Sequence, residues 1–86
     1  MSTNDIVLDE LAKITENEEV RQNLDLGLFD EAVLDSLGMV ELIVALGETF
    51  HLDISPAQVD RKMWATPRKI IADIETRLES RQQRAG

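Results

Sequence analysis

Between Leu37 and Phe50 the apolar residues recur at helical spacing in two registers. Positions 39, 42/43, 46 and 50 follow the 3.6-residue period and make one stripe; positions 37, 40 and 44 make a second on another face. The pattern predicts a helix over residues 36–50 that is apolar nearly all the way round its first turns. A chain of 86 residues supports one modest core, which does not cover both stripes. We expect Leu42, Leu46 and Phe50 to face that core. Leu37, Val40 and Val44 are then expected to form a contact surface.

Elsewhere the periodicity is simpler. Val7, Leu11 and Ile14, flanked by Ile6 and Leu8, predict a helix over about residues 4–16, capped by Ser2 or Thr3. Asp5, Asp9 and Glu10 suit its positive end. Residues 17–35 read as a long connection broken by Asn17, Asn23 and Gly27. Its apolar anchors (Val20, Leu24, Leu26, Leu28, Phe29, Val33 and Leu34) predict a packed loop whose job is to present Ser36. Ser55-Pro56-Ala57-Gln58 reads as a capping-box start for a short helix, with Val59 and Met63 as its brief apolar face. Thr66-Pro67 repeats the cap-plus-proline signal for a last helix. There Ile70, Ile71, Ile74 and Leu78 form the buried stripe, and Arg77 and Arg81 suit the C-terminal end. No strand pattern is visible. The expected architecture is an all-α four-helix bundle, three main helices plus one short one, in a single domain of residues 1–86. Its core spans about residues 4–80 and centres on Leu11, Leu42, Leu46, Phe50, Ile70 and Ile74; residues 81–86 read as a flexible tail.

Charge narrows the partners. The net charge is −8, with fourteen Asp/Glu against Lys13 and Arg21 in residues 1–60, and seven Lys/Arg against Asp73, Glu75 and Glu79 in the remainder. An acidic body repels nucleic acid and anionic lipid and steers basic partners toward it. Cysteine is absent, so disulfides and thiolate metal sites are excluded, and any thioester chemistry needs a thiol from outside. No membrane-span or signal-peptide pattern appears, and a soluble cytoplasmic protein is the expectation.

Ser36 stands at the mouth of the second main helix, where a side-chain oxygen can cap free backbone N–H groups. The same N–H groups and the helix dipole favour an anion, so a phosphodiester on the hydroxyl would also sit well. A hydrolytic role fails. The single histidine, His51, lies fifteen residues further along the helix, about 22 Å away, and reads as a polar helix end. No glycine-rich phosphate cradle, histidine metal spacing or marked carboxylate pair is present. The chain reads as non-catalytic, its serine modified by another enzyme.

Asp35-Ser36-Leu37, followed by Val40-Glu41-Leu42, resembles the phosphopantetheine attachment site of acyl and peptidyl carrier proteins. Further along, Asp60-Arg61-Lys62-Met63-Trp64-Ala65-Thr66-Pro67-Arg68-Lys69-Ile70-Ile71 resembles the Asp-Arg-x-x-Trp-x-Thr-Pro-x-Lys-Ile segment of D-alanyl carrier proteins. Leu28-Phe29-Asp30-Glu31, Val33-Leu34-Asp35-Ser36 and Gly38 are similar to that family too, so the likeness covers about residues 20–78. Fatty-acid-type carriers generally lack the tryptophan and proline pairing. Trp64 also has a plain local role, sealing the core while Thr66-Pro67 caps the last helix. Leu37 and Met39 depart from the family's usual Met and Thr around the glycine, and Val59 replaces a common aromatic. All three are expected to border the partner surface.

The resemblance implies a small carrier-protein bundle in which a phosphopantetheinyl transferase attaches 4′-phosphopantetheine from coenzyme A to Ser36. A D-alanine-activating ligase would then load the arm through an aminoacyl adenylate. Membrane acyltransferase machinery would receive the D-alanine for esterification of teichoic acids in Gram-positive-type walls. Leu37, Val40 and Val44 would touch these partners, and Asp35 and Glu41 would pair with their basic residues, the carrier itself acting as a monomer. Two alternatives remain at this point: a carrier of another pathway, and a small acidic helical adaptor without a prosthetic group.

Overall fold

A computed structural model describes residues 2–85, with side chains through Arg81. Helix α1 (Thr3–Thr15) starts where Ser2 Oγ accepts the Asp5 N–H at 3.2 Å. It ends at Glu16, which takes the left-handed conformation at φ 53° while the next amide, Asn17 N–H, reaches back to the Ala12 carbonyl. The Ala12 carbonyl thus takes both the Glu16 and the Asn17 amides, which closes the last turn. The connection then makes one short turn of helix, α2 (Glu19–Gln22), which the breakers around it had hidden. Helix α3 (Ser36–Phe50) matches the predicted span, and His51 ends it at φ 56° with Leu52 N–H bonded to Gly47 O at 2.8 Å. Helix α4 (Pro67–Ala85) begins as expected: Thr66 Oγ1 accepts the Lys69 N–H, and Pro67 occupies a first turn where no donor is lost. The helix continues into the segment read as a tail, of which Gly86 and the side chains of residues 82–85 lie outside the described residues.

Helix α1 packs against α2, α3 and α4, and no strand forms among the described residues. Val7 and Leu11 of α1, Leu42, Ile43 and Leu46 of α3, and Ile70 and Ile74 of α4 meet in one buried cluster. Phe50 differs from expectation. It sits at the last turn of α3, only partly buried, and packs on the cluster from its edge. The connection is packed down as predicted, with Val20, Leu26, Leu28 and Leu34 buried and Leu24, Phe29 and Val33 partly so.

The Pro56–Gln58 segment is a single 3₁₀ turn rather than a capping-box helix. Ser55 Oγ accepts from Ala57 N–H, and the Gln58 N–H goes to the Ser55 carbonyl instead of its hydroxyl. Val59 behind it is buried, whereas Met63 is 38% exposed and gives the core little. Trp64 seals the core. It is fully buried, and its Nε1–H donates to Asp73 Oδ2 at 2.9 Å, which satisfies the one polar group a buried indole must pair. Asp73 also accepts from Arg77 Nε, so Arg77 is spent within α4. Arg81 leaves its own helix end and donates to the carbonyls of Phe50 and His51, closing the C-terminus of α3.

Two consequences can be measured. Leu46→Ala should cost about 2–5 kcal/mol in denaturant unfolding, as deletions in a packed core do. Val40→Asp, on the outer stripe, should stay within about 1 kcal/mol of the parent. The second test concerns the ion pair between Arg68 and Asp25, whose hydrogen bonds and charge hold the Asp25 carboxyl below the ordinary carboxylate value. A lowered folded-state pKa stabilises above the unfolded value, about 3.9, and the gain disappears as pH falls through the folded value. The pair is solvent-exposed, so the gain is small and screened by salt. The difference in Tm between wild type and Arg68→Gln should therefore narrow both below about pH 4 and at high ionic strength.

Candidate functional site

The site grows from how α3 begins. Asp35 is extended, at φ −109° and ψ −177°, and its Oδ1 accepts the Gly38 N–H at 2.7 Å while its carbonyl accepts Met39 N–H. Asp35 is thus the cap. Ser36, the first residue inside the helix, is not, although its position allowed either reading. Its hydroxyl is free of the backbone and exposed. Gly38 belongs to the same arrangement. A Cβ there would stand 2.9 Å from Leu34 Cδ1 and 3.2 Å from the capping Asp35 oxygen. Leu34 is buried, so a side chain at 38 would disturb both the cap and the loop's last anchor.

The connection delivers Ser36 through Leu28. This fully buried residue gives its N–H to the Ala65 carbonyl at 2.9 Å, and its own carbonyl accepts from both Val33 and Leu34. The loop before Ser36 is thereby tied to the segment before α4. One result is a contact that spacing along the chain did not reveal: Arg61 Nη2 donates to Ser36 Oγ across 25 residues. The Arg61 guanidinium also lies over the Phe29 ring, 5.1 Å from its centroid. Asp-Arg in the quoted motif and Phe29 in the loop were visible in the sequence, but nothing local joins them to the serine.

The five positions expected to meet partners divide by role. Leu37, Val40 and Val44 are exposed by 68%, 43% and 51%, so the outer stripe is uncovered as expected. Glu41 is exposed between them, and Asp35 is exposed with one oxygen committed to the cap. Two of the departures from the family pattern do not border this surface. Met39 and Val59 are buried, because position 39 falls on the core stripe of α3 and Val59 turns inward after the 3₁₀ segment. Met63, expected with Val59 to give the short helix its apolar face, is exposed, and its N–H donates to Asp60 Oδ1.

An exposed hydroxyl at a helix start, with no general base on it, can accept a group but cannot activate itself. Room for a phosphodiester is present: Ser36 is at the surface, and the one side chain on its hydroxyl is a cation. No helix among the described residues is long and apolar enough to cross a membrane. No cluster of metal-ligating side chains occurs among them.

Comparison with known proteins gives the family. The family model described as "phosphopantetheine attachment site" matches residues 5–74. A D-alanyl carrier protein of Lacticaseibacillus rhamnosus is 48% identical over 69 residues, 80% of this chain and 85% of that protein. One from Listeria welshimeri is 41% identical over 75 residues, covering 87% and 96%. One from Bacillus cereus strain B4264 is 42% identical over 69 residues, covering 80% and 87%.

Cap ownership is open to a direct check. Asp35→Ala should lose about 1 kcal/mol in chemical unfolding, the usual worth of an N-cap acceptor. Ser36→Ala should stay within about 0.5 kcal/mol of wild type. The reverse order would return the cap to the serine.

Proposed function

The chain belongs to the phosphopantetheine-binding D-alanyl carrier proteins, and from that membership we propose that Ser36 is the attachment point through which it carries D-alanine. It is a carrier and not an enzyme. The arm, when attached, supplies the thiol that holds the amino acid as a thioester, which a chain without cysteine cannot provide. The observation that carries the assignment is the exposed Ser36 hydroxyl, first in α3 and released from capping by Asp35. Ser2 and Ser55, by contrast, are committed to their own turns.

The rest of the reading concerns recognition. Leu37, Val40 and Val44 give partners an apolar strip next to the serine, while exposed Asp35 and Glu41 give them acidic edges. The partners we infer are a phosphopantetheinyl transferase, a D-alanine-activating ligase and membrane acyltransferase machinery for teichoic acids. A cytoplasmic monomer suits them, since each needs the same strip uncovered. Ser36 does not line the cleft that Phe29, Arg61 and Thr66 form beside it, and we read cargo selection as the ligase's task. The carrier's surface is recognised by the ligase, and the ligase pocket discriminates the acid, so specificity is a difference in protein–protein affinity. Charge contributes mainly to the rate of encounter. An adaptor without a prosthetic group is left with no support, because the family is defined by the attachment.

Incubation with coenzyme A and a transferase should add one phosphopantetheine mass to wild type and none to Ser36→Ala; a modified alanine variant would sink the site. Holo protein should load fastest with a D-alanine ligase, more slowly at high salt. Faster loading by a fatty-acyl synthetase or a peptide-synthetase adenylation domain would move the cargo elsewhere. Val40→Asp should fold and take the arm, yet load poorly.

A further inference from the structure

Among the described arginines, four are engaged in holding the fold. Arg21 pairs with Asp9 and Glu18, Arg68 with Asp25, and Arg77 with Asp73, while Arg81 donates to the carbonyls that end α3. Arg61 is different. Among the described residues it makes no salt bridge, although the chain is strongly acidic, and the hydrogen bond it does make is to the Ser36 hydroxyl. We propose that Arg61 is the binding residue for the phosphodiester on Ser36, a role that rests on Ser36 being the attachment point.

The chemistry of the modified serine favours this use of the charge. Attachment forms the Oγ–phosphorus bond, breaks the pyrophosphate bond of coenzyme A with release of 3′,5′-ADP, and sheds the hydroxyl proton. Oγ becomes a bridging ester oxygen, a poor acceptor, and the guanidinium loses the partner it has in the unmodified chain. The negative charge now rests on the two non-bridging oxygens one bond further out. A guanidinium already on Oγ reaches them by a small side-chain adjustment, and its forked donors fit a phosphate better than they fit a single hydroxyl.

Two features make Arg61 ready for that exchange. Stacking over Phe29 holds the guanidinium in place and limits the freedom it would lose on binding. The backbone tie from Leu28 to Ala65 fixes the Phe29 loop against the segment that carries Arg61. The surroundings also create the need. Asp35 stands immediately before the serine, and Asp30 and Glu31 lie exposed in the loop that leads to it, all of like sign to the diester. A cation on the serine offsets that repulsion and sets the direction in which the arm leaves the helix.

The test uses the full chain in apo and modified forms, with attachment verified by intact mass. In wild type, the side-chain ¹⁵N resonances of Arg61 should shift on modification, and the ³¹P resonance of the diester should differ from that of Arg61→Gln and Arg61→Ala. The change in Tm on modification should be more favourable in wild type than in Arg61→Gln by about 1–4 °C, shrinking with salt, and Arg61→Lys should recover part of it. Arg61→Lys and the wild-type resonances keep the test decisive should the other variants fold poorly. Complete modification with unmoved Arg61 resonances, or with the same ³¹P shift and Tm change in every variant, would overturn the role of Arg61 and leave Ser36 as the site. Absence of any mass gain on wild type would instead overturn the attachment reading itself.

Discussion

The arrangement depends most on Leu28, a loop residue that behaves like a core residue. Its side chain is fully buried, its N–H is bonded to Ala65, and its carbonyl collects Val33 and Leu34. A connection of this length would otherwise cost considerable conformational entropy to hold in one shape. Arg68 N–H adds a second tie by donating to the Leu24 carbonyl. Ser36 follows Leu34 by two residues, and Arg61 precedes Ala65 by four. The same anchoring therefore sets where both ends of the Ser36–Arg61 contact lie.

Charge in this molecule is kept at the surface and put to use between elements. No charged or polar side chain is buried among the described residues. Arg21 of α2 reaches Asp9 of α1, Arg68 of α4 reaches Asp25 of the loop, and Arg81 closes the end of α3 from α4. Each is exposed or nearly so and individually weak in water. Together they fasten the helices around the buried cluster, while the outer stripe of α3 is left apolar and open. A carrier that is handed between enzymes needs such a division, because surface spent on its own fold is unavailable to partners.

Helix ends illustrate where sequence reading succeeds and where it thins. Starts carry chemical labels: Ser2, Asp35 and Thr66 each accept an amide within the first turn, and Pro67 fits where no donor is needed. Stops here carry few. Glu16 and His51 adopt the left-handed conformation that glycine usually supplies, so α1 and α3 end without the customary residue. They end because carbonyls at Ala12 and Gly47 capture the amides beyond the turn. Phe50, placed by periodicity on the core stripe, is only half-covered because α3 is already ending beneath it.

By itself the sequence determined α1 and α3 to within about one residue, the start of α4, the all-α class, the family likeness and the candidate serine. All of these rest on interactions between residues at most four apart, or on motifs read contiguously. Tertiary structure decided that Val59 lies inside and that Met63 lies outside. It also decided that Arg61 meets Ser36. The reason is range. Capping and helical periodicity are local, whereas a contact across 25 residues exists only after Leu28, Trp64 and the core of α3 and α4 have packed. Along the chain Arg61 is one charge in a basic run; folding directs it to the serine.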